Sequence, residues 1–171
     1  SDADVTITIG TSPDYAPYES LNKKGEIVGF DVDMAKLFEG YLSDMEGKTY
    51  SLEFKQMDFD NIVTQIQGDQ IDLGISGFTY SEDRVVEWSD PYLGTQQVAV
   101  VTKGSAITSN DQLVGKKLAI TEDPENDPEW IKWASKLGIP TEKDKYQIVK
   151  MGQKDAPMAL KSGQISAFSC C

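Results

Sequence analysis

Apolar and polar positions alternate from the start of the chain. In VTITI, Val5, Ile7 and Ile9 alternate with Thr6 and Thr8, which predicts a half-buried strand. TSPDYAPYE follows and reads as a loop stiffened by Pro13 and Pro17, carrying Tyr15 and Tyr18. In GEIVGFDVDMAKLFEGYL the period changes. Phe30, Met34, Leu37, Phe38 and Tyr41 recur at helical spacing, Asp31 is the expected N-cap, and residues 43 to 49 read as an exposed loop. YSLEFKQM predicts a second strand, FDNIVTQIQ a short helix ended at Gly68, and IDLGIS (71 to 76) a third strand.

The second half repeats the scheme. TQQVAVVT reads as a strand, and SNDQLVGKKLAIT as a capped turn and a strand. DPEWIKWASKLG is a helix with Asp127 as N-cap, Pro128 at its first position and Gly138 past its end. YQIVKM is a strand, DAPMALKSG a short helix between Asp155 and Gly163, and QISAFS a last strand. IQGDQIDL (66 to 73) and LKSGQISAF (160 to 168) echo one another as helix end, glycine and strand. Two α/β halves follow, residues 1–94 and 95–171, with a hinge near 94–98. Such strand–helix–strand order implies parallel sheets with crossover helices, and ligands in them bind beyond the carboxyl ends of the strands. The loops after the first three strands (Thr11 to Tyr18, Met57 to Phe59, Gly77 to Arg84) therefore converge on one edge.

Charge and composition narrow the chemistry. Sixteen basic residues against 28 acidic ones give −12, which argues against a nucleic-acid partner. With no histidine, the chain holds no His-ligated metal, Ser-His-Asp triad or Cys-His dyad. Cys170 and Cys171 are adjacent and lack metal-site spacing; they read as inert or as an intermolecular disulfide hazard. No apolar run approaches the roughly 20 residues of a membrane span. The opening SDADVTITIG reads like a mature or trimmed start without a signal peptide.

The stretch GFTYSEDRVVEWSDPYLG, residues 77 to 94, carries the sharpest signal. Ser81-Glu82-Asp83-Arg84 reads as a helix start, which would put Arg84 in a first turn beside unbonded N–H groups. Arg84 offers a bidentate fork for a carboxylate. The carbonyl near Gly77 and the Thr79 hydroxyl offer acceptors for an ammonium, and Tyr15 and Phe59 could sandwich a side chain. A lone arginine can equally be a surface residue, the two aromatics core residues, and Ser81 only an N-cap. It is the joint placement on one sheet edge that points to a zwitterion.

These segments also carry a resemblance. GTSPDYAPYE, GEIVGFDVDMAKLF, MDFDNIVTQIQGDQIDLGISGFTYSEDRVVEWSDPY and LVGKKLAI resemble the family 3 extracellular solute-binding proteins, receptors of bacterial ABC importers for polar amino acids. The resemblance covers nearly all of residues 5 to 120. It implies a two-lobed, periplasmic-binding-protein-like (type II) α/β fold that closes on its ligand. It places the carboxylate-binding arginine on Arg84, the ammonium-binding positions on Gly77 and Thr79, the stacking aromatics on Tyr15 and Phe59, and a side-chain contact on Ser12.

Departures from the family pattern cluster in the second lobe. Where the family offers a Gly-Thr loop to the ligand carboxylate, this chain reads TEDPENDPEW, so Thr121 is the candidate contact, followed by Glu122, Asp123, Glu125 and Asp127. The family's ammonium-binding aspartate falls near Cys171. The second lobe and its return segment are expected to be incomplete, leaving homo-oligomerisation or strand exchange as an outcome. The resemblance implies a non-catalytic, extracytoplasmic receptor for a polar or cationic amino acid, with no cofactor and with ABC transporter membrane subunits as partners. Two alternatives stay open: an enzyme like the cyclohexadienyl dehydratases on the same scaffold, and a degenerate lobe pair with little binding.

Overall fold

A computed structural model describes residues 2–124, 127–139 and 148–170. They form two compact units. The first comprises residues up to Phe78 with Arg84–Val86, and the second Thr79–Asp83 with the chain from Glu87 onward.

In the first unit β1 (Val5–Thr11) is the middle strand of a parallel sheet. β5 (Tyr50–Gln56) runs beside it in continuous register, Val5 opposite Tyr50 through Thr11 opposite Gln56. On the other side lies β6 (Leu73–Gly74), with Ile9 opposite Leu73. The expected third strand over 71–76 is thus regular at its centre only. Ile9, Ile62 and Ile71 fill the interior with Val32 and Ala35. α2 (Phe59–Gln67) forms as the pattern requires and ends at Gly68.

The stretch around Tyr15 is more ordered than a proline-stiffened loop. β2 (Asp14–Tyr15), β3 (Glu19–Leu21) and β4 (Ile27–Val28) make a small antiparallel sheet. Strands of two or three residues are too short to show a period in the sequence.

Two expectations for α1 (Phe30–Glu46) are corrected. Its N-cap is Gly29, not Asp31, and Asp31 is buried in the first turn. The first helical N–H groups are satisfied by loop carbonyls, Phe30 N–H to Pro17 O (3.0 Å) and Asp31 N–H to Tyr18 O (2.9 Å), so no capping side chain is needed. Gly29 has φ 136°, and a Cβ there would run into the Tyr18 carbonyl oxygen. The helix also takes in residues 43–46 of the expected 43–49 loop and is capped by Gly47 in the left-handed region, leaving only residues 47–49 as the loop. Phe30, Leu37, Phe38 and Tyr41 lie on its exposed side, while Val32 and Ala35 are buried.

In the second unit the strand order is β7 (Val98–Val100), β10 (Ala167–Cys170), β8 (Leu118–Ile120), β9 (Ile148–Lys150). β10, β8 and β9 are parallel and β7 is antiparallel to β10. A 3-10 turn, Asn110–Leu113, opens with a capping box between Ser109 and Gln112. α3 (Pro128–Lys136) starts as its sequence signals, with the Asp127 carboxylate accepting from the Trp130 N–H at 3.0 Å. Trp130 is fully buried among Leu113, Leu118, Ile120, Ala134, Ile139 and Ala167, and its ring lies 5.5 Å from that of Trp133. α4 (Ala156–Ser162) ends at Gly163, but the Asp155 side chain makes no capping bond. Ala156, Ala159, Ile165 and Phe168 form a second cluster, against which Cys170 packs. Glu125 and Cys171, singled out by the sequence, lie outside the described residues.

Candidate functional site

The parallel sheet of the first unit delivers three segments at its strand ends: Ser12 after β1, Phe59 after β5, and Ser76–Phe78 after β6. The Ser12 N–H donates to the Ser76 hydroxyl at 3.3 Å, joining the first and third segments directly.

Arg84 joins this unit from across the chain. The segment Ser81–Val86 is a turn and not a helix start, which corrects the expectation of a first turn with unbonded N–H groups. Ser81 Oγ accepts from the Asp83 N–H (3.2 Å), and the Val86 N–H bonds back to the Arg84 carbonyl (2.9 Å). Helix nucleation costs several fixed residues per bond, and the local serine turn competes with it. Gln67, at the end of α2, donates to the Val85 carbonyl at 3.1 Å and ties the segment to the helix. The half-buried guanidinium of Arg84 has its Cζ 5.9 Å from the Phe59 ring centre and 5.6 Å from that of Phe78. The two rings are 4.5 Å apart. Cation–π contact with the two rings helps to hold the guanidinium in place.

Tyr15 forms the neighbouring feature. A Cβ on Gly77 would come within 2.6 Å of the Tyr15 ring. Glycine lets the Tyr15 ring pack closely against the backbone there, a reason that lies within the unit and does not involve a ligand. Tyr18 flanks Tyr15 at 5.0 Å. The Tyr15–Gly77 contact and the Arg84–Phe78 contact are one peptide bond apart.

Of the sequence candidates, the structure brings Arg84 to Phe59, and Tyr15 to Gly77. Ser12 is buried and its hydroxyl donates to Asp14 at 3.0 Å, so it is engaged within its own loop. Thr79 and Thr121 are half-buried and belong to the second unit. There Glu122 is buried just after β8, and Asp127 is occupied by capping α3. Tyr80 and Trp88 make an edge-on pair at 5.5 Å.

Phe78, Gln67 and Glu19 were not singled out in the sequence. Phe78 was hidden between two candidates. Glu19 is an acid that the folded chain excludes from water completely. Its Oε1 accepts from the Ser76 hydroxyl at 2.8 Å. Burial first, then the adjacent Asp31 carboxyl, push its pKa from 4.5 up to about 9, while hydrogen bonds from Ser76 and the Gly77 N–H pull the other way. Among the described residues there is no group of three or more Cys, Asp and Glu side chains able to hold a metal ion, and no helix long and apolar enough to cross a membrane.

Residues 7–161 match the family model of bacterial extracellular solute-binding proteins, family 3. The arginine-binding extracellular protein ArtP of Bacillus subtilis is 38% identical over 117 residues, which are 67% of this chain and 43% of that protein. The probable histidine-binding protein of Neisseria gonorrhoeae is 32% identical over 61% of this chain and 38% of its own length. Both are named as binding proteins. Among solved structures, an ancestral arginine-binding protein bound to arginine superposes with a TM-score of 0.79 at 32% identity, covering 96% of this chain and 69% of that one. Holo ArgBP from T. maritima gives 0.77 at 34% identity, over 96% and 68%. The mixed α/β periplasmic-binding-protein fold is thereby shared, and the chain spans about two fifths of the length of these curated relatives.

Proposed function

This chain belongs to family 3 of the bacterial extracellular solute-binding proteins, and we propose that it binds a polar or cationic amino acid outside the cytoplasm for delivery to an ABC importer. The observation that carries this reading is the Arg84 guanidinium held over Phe59 and Phe78, beyond the strand ends of the first unit. Such a fork suits a carboxylate, bound by two parallel N–H donors. In this reading the carbonyl at Gly77 and the Thr79 hydroxyl take the ammonium. Tyr15 and Phe59 flank the side chain, Ser12 and Thr121 border it, and the segment near 94–98, free of helix or strand up to Val98, serves as the hinge.

The acidic residues Glu122 and Asp123 favour a cationic or neutral side chain over an acidic one, because a ligand carboxylate there would meet like charge. Arginine and histidine are the ligands named for the relatives, which fits that preference. No residue of the site calls for bond chemistry, so binding without turnover is the activity proposed.

A thermal-shift screen over the twenty amino acids tests the reading. A ligand at about 100 times its Kd adds about 2.7 kcal/mol of stability. Arginine, lysine or histidine should raise the melting temperature, and glutamate and aspartate should not. Arg84→Lys keeps the charge but loses the fork, and calorimetry should show affinity for the best ligand falling by about tenfold or more. Unchanged affinity in that variant removes Arg84 from the site.

A further inference from the structure

We propose that Glu19, which the fold hides from solvent, is the positioning residue of the binding site: from β3 it holds the Ser76–Gly77 backbone against Tyr15 and so sets the place of the Phe78–Arg84 cluster. The inference rests on the proposed function for its consequence in binding, and on the structure alone for the positioning.

Three strand-end segments meet at this carboxyl. Ser76 Oγ donates to Glu19 Oε1 at 2.8 Å and accepts from the Ser12 N–H at 3.3 Å. The Gly77 N–H is hydrogen-bonded to the same carboxyl. Gly77 carries the Tyr15 ring on its Cα face, and Tyr15 is the β2 residue directly opposite Glu19 in the small antiparallel sheet. One side chain thus links β1's exit, the β2–β3 ribbon and β6's exit. A surface residue could be lost without moving these segments; a fully buried acceptor of two donors could not.

The groups facing Glu19 define its chemistry. From the first turn of α1 comes Asp31, itself buried. Ser76 and Gly77 approach from the segment after β6, and neither is charged. From β2 comes Tyr15, with Asp14 beside it already accepting from Ser12 Oγ. Two carboxyls in one dry place favour holding a proton between them, and burial with Asp31 keeps Glu19 protonated up to about 9. In that state Oε1 accepts from Ser76 and the proton lies toward Asp31. Loss of the proton sets two like charges against each other, and the segment carrying Gly77 is the element able to yield.

Glutamine reproduces the protonated arrangement, with a carbonyl for Ser76 and an amide donor for Asp31. The test compares the intact chain with Glu19→Gln and Glu19→Ala, using L-arginine as the probe in calorimetry and the Gly77 amide resonance as a ligand-independent readout. At about pH 7, Glu19→Gln should bind L-arginine within about threefold of the parent, and Glu19→Ala should be weaker by about tenfold or more while its circular dichroism is retained. Between about pH 7 and pH 9.5 the parent should lose about tenfold relative to Glu19→Gln, a ratio in which the titration of the probe's own ammonium cancels. The Gly77 amide should shift with pH in the parent, with a midpoint near 9, and not in Glu19→Gln. Parallel pH profiles for the two proteins, or a Gly77 resonance indifferent to Glu19, would overturn the positioning role. If the parent fails to bind L-arginine or any other amino acid while the Gly77 resonance still follows Glu19, the binding function falls and the positioning stands.

Discussion

The first unit buries Thr11, Ser12, Glu19, Asp31 and Ser76 beside a modest set of apolar residues, whereas the second closes its sheet with Leu113, Leu118, Ile120, Trp130, Ile139 and Phe168. One interior carries polar contacts beside few apolar residues, and the other is mainly an apolar core that also buries Ser81, Glu122 and Ser169. The contrast shows where stability and recognition are separated in the molecule. Apolar burial stabilises in proportion to area and tolerates no vacancy. A polar interior contributes less per residue but fixes geometry where its groups pair, as Ser76 does with Glu19 and with the Ser12 N–H.

The largest test of the contrast is Trp130→Ala. Trp130 is fully buried and its indole N–H meets no acceptor in the structure, so it acts by packing. Denaturation should show the second unit losing about 3–5 kcal/mol. A loss spread evenly over both units would dissolve the distinction. Gly77→Ala strikes the other interior. Its Cβ would meet the Tyr15 ring at 2.6 Å and must displace it. We expect about 1–2 kcal/mol of lost stability and a larger loss of ligand affinity. Equal binding by the variant would show that Tyr15 does not shape the site.

Glu19 sharpens the comparison through pH. Its folded pKa, about 9, is raised above the ordinary 4.5, so the folded state binds the extra proton between those values. The contribution is fully present below about 4.5 and is lost as pH rises toward 9, by at most about 1.4 kcal/mol per pH unit. Urea denaturation of Glu19→Gln should give a flatter stability profile over this window than the parent. The smallest effect is Asp127→Ala, which removes the α3 cap and should cost about 1 kcal/mol by thermal unfolding. That loss belongs to the second unit and should leave ligand affinity unchanged.

What the sequence made legible follows the same division. α3 was readable because its signals are local: Asp127, Pro128 and Gly138 each act within a turn of their own position. β1 was readable from alternation, and the parallel arrangement from element order. Arg84 and Phe59 could be assigned to one edge by topology, and the structure brings them together. α1 was misread at both ends and in its face, because the carbonyls of Pro17 and Tyr18 supply its cap and tertiary packing decides that Val32 and Ala35 turn inward. The turn at Ser81–Val86 imitates a helix start in sequence but is settled by the Ser81 hydroxyl and by Gln67. Glu19 left no sign at all. An acid in YESL looks like any surface acid until Ser76, 57 residues on, arrives as its partner.

The tryptophans have a spectroscopic consequence. The chain has three, and Trp88, Trp130 and Trp133 all belong to the second unit. Indole emission excited selectively at the red edge therefore originates in one half of the molecule, while Tyr15, Phe59 and Arg84, the principal contacts proposed for ligand, lie in the other. Thr79 and Thr121, proposed to meet the ligand as well, lie with the indoles in the second unit, and Trp88 packs edge-on against Tyr80, the residue after Thr79. Any titratable change in indole colour or quenching then registers what happens in the second unit, whether contact or response, so the fold carries its own optical label for that half.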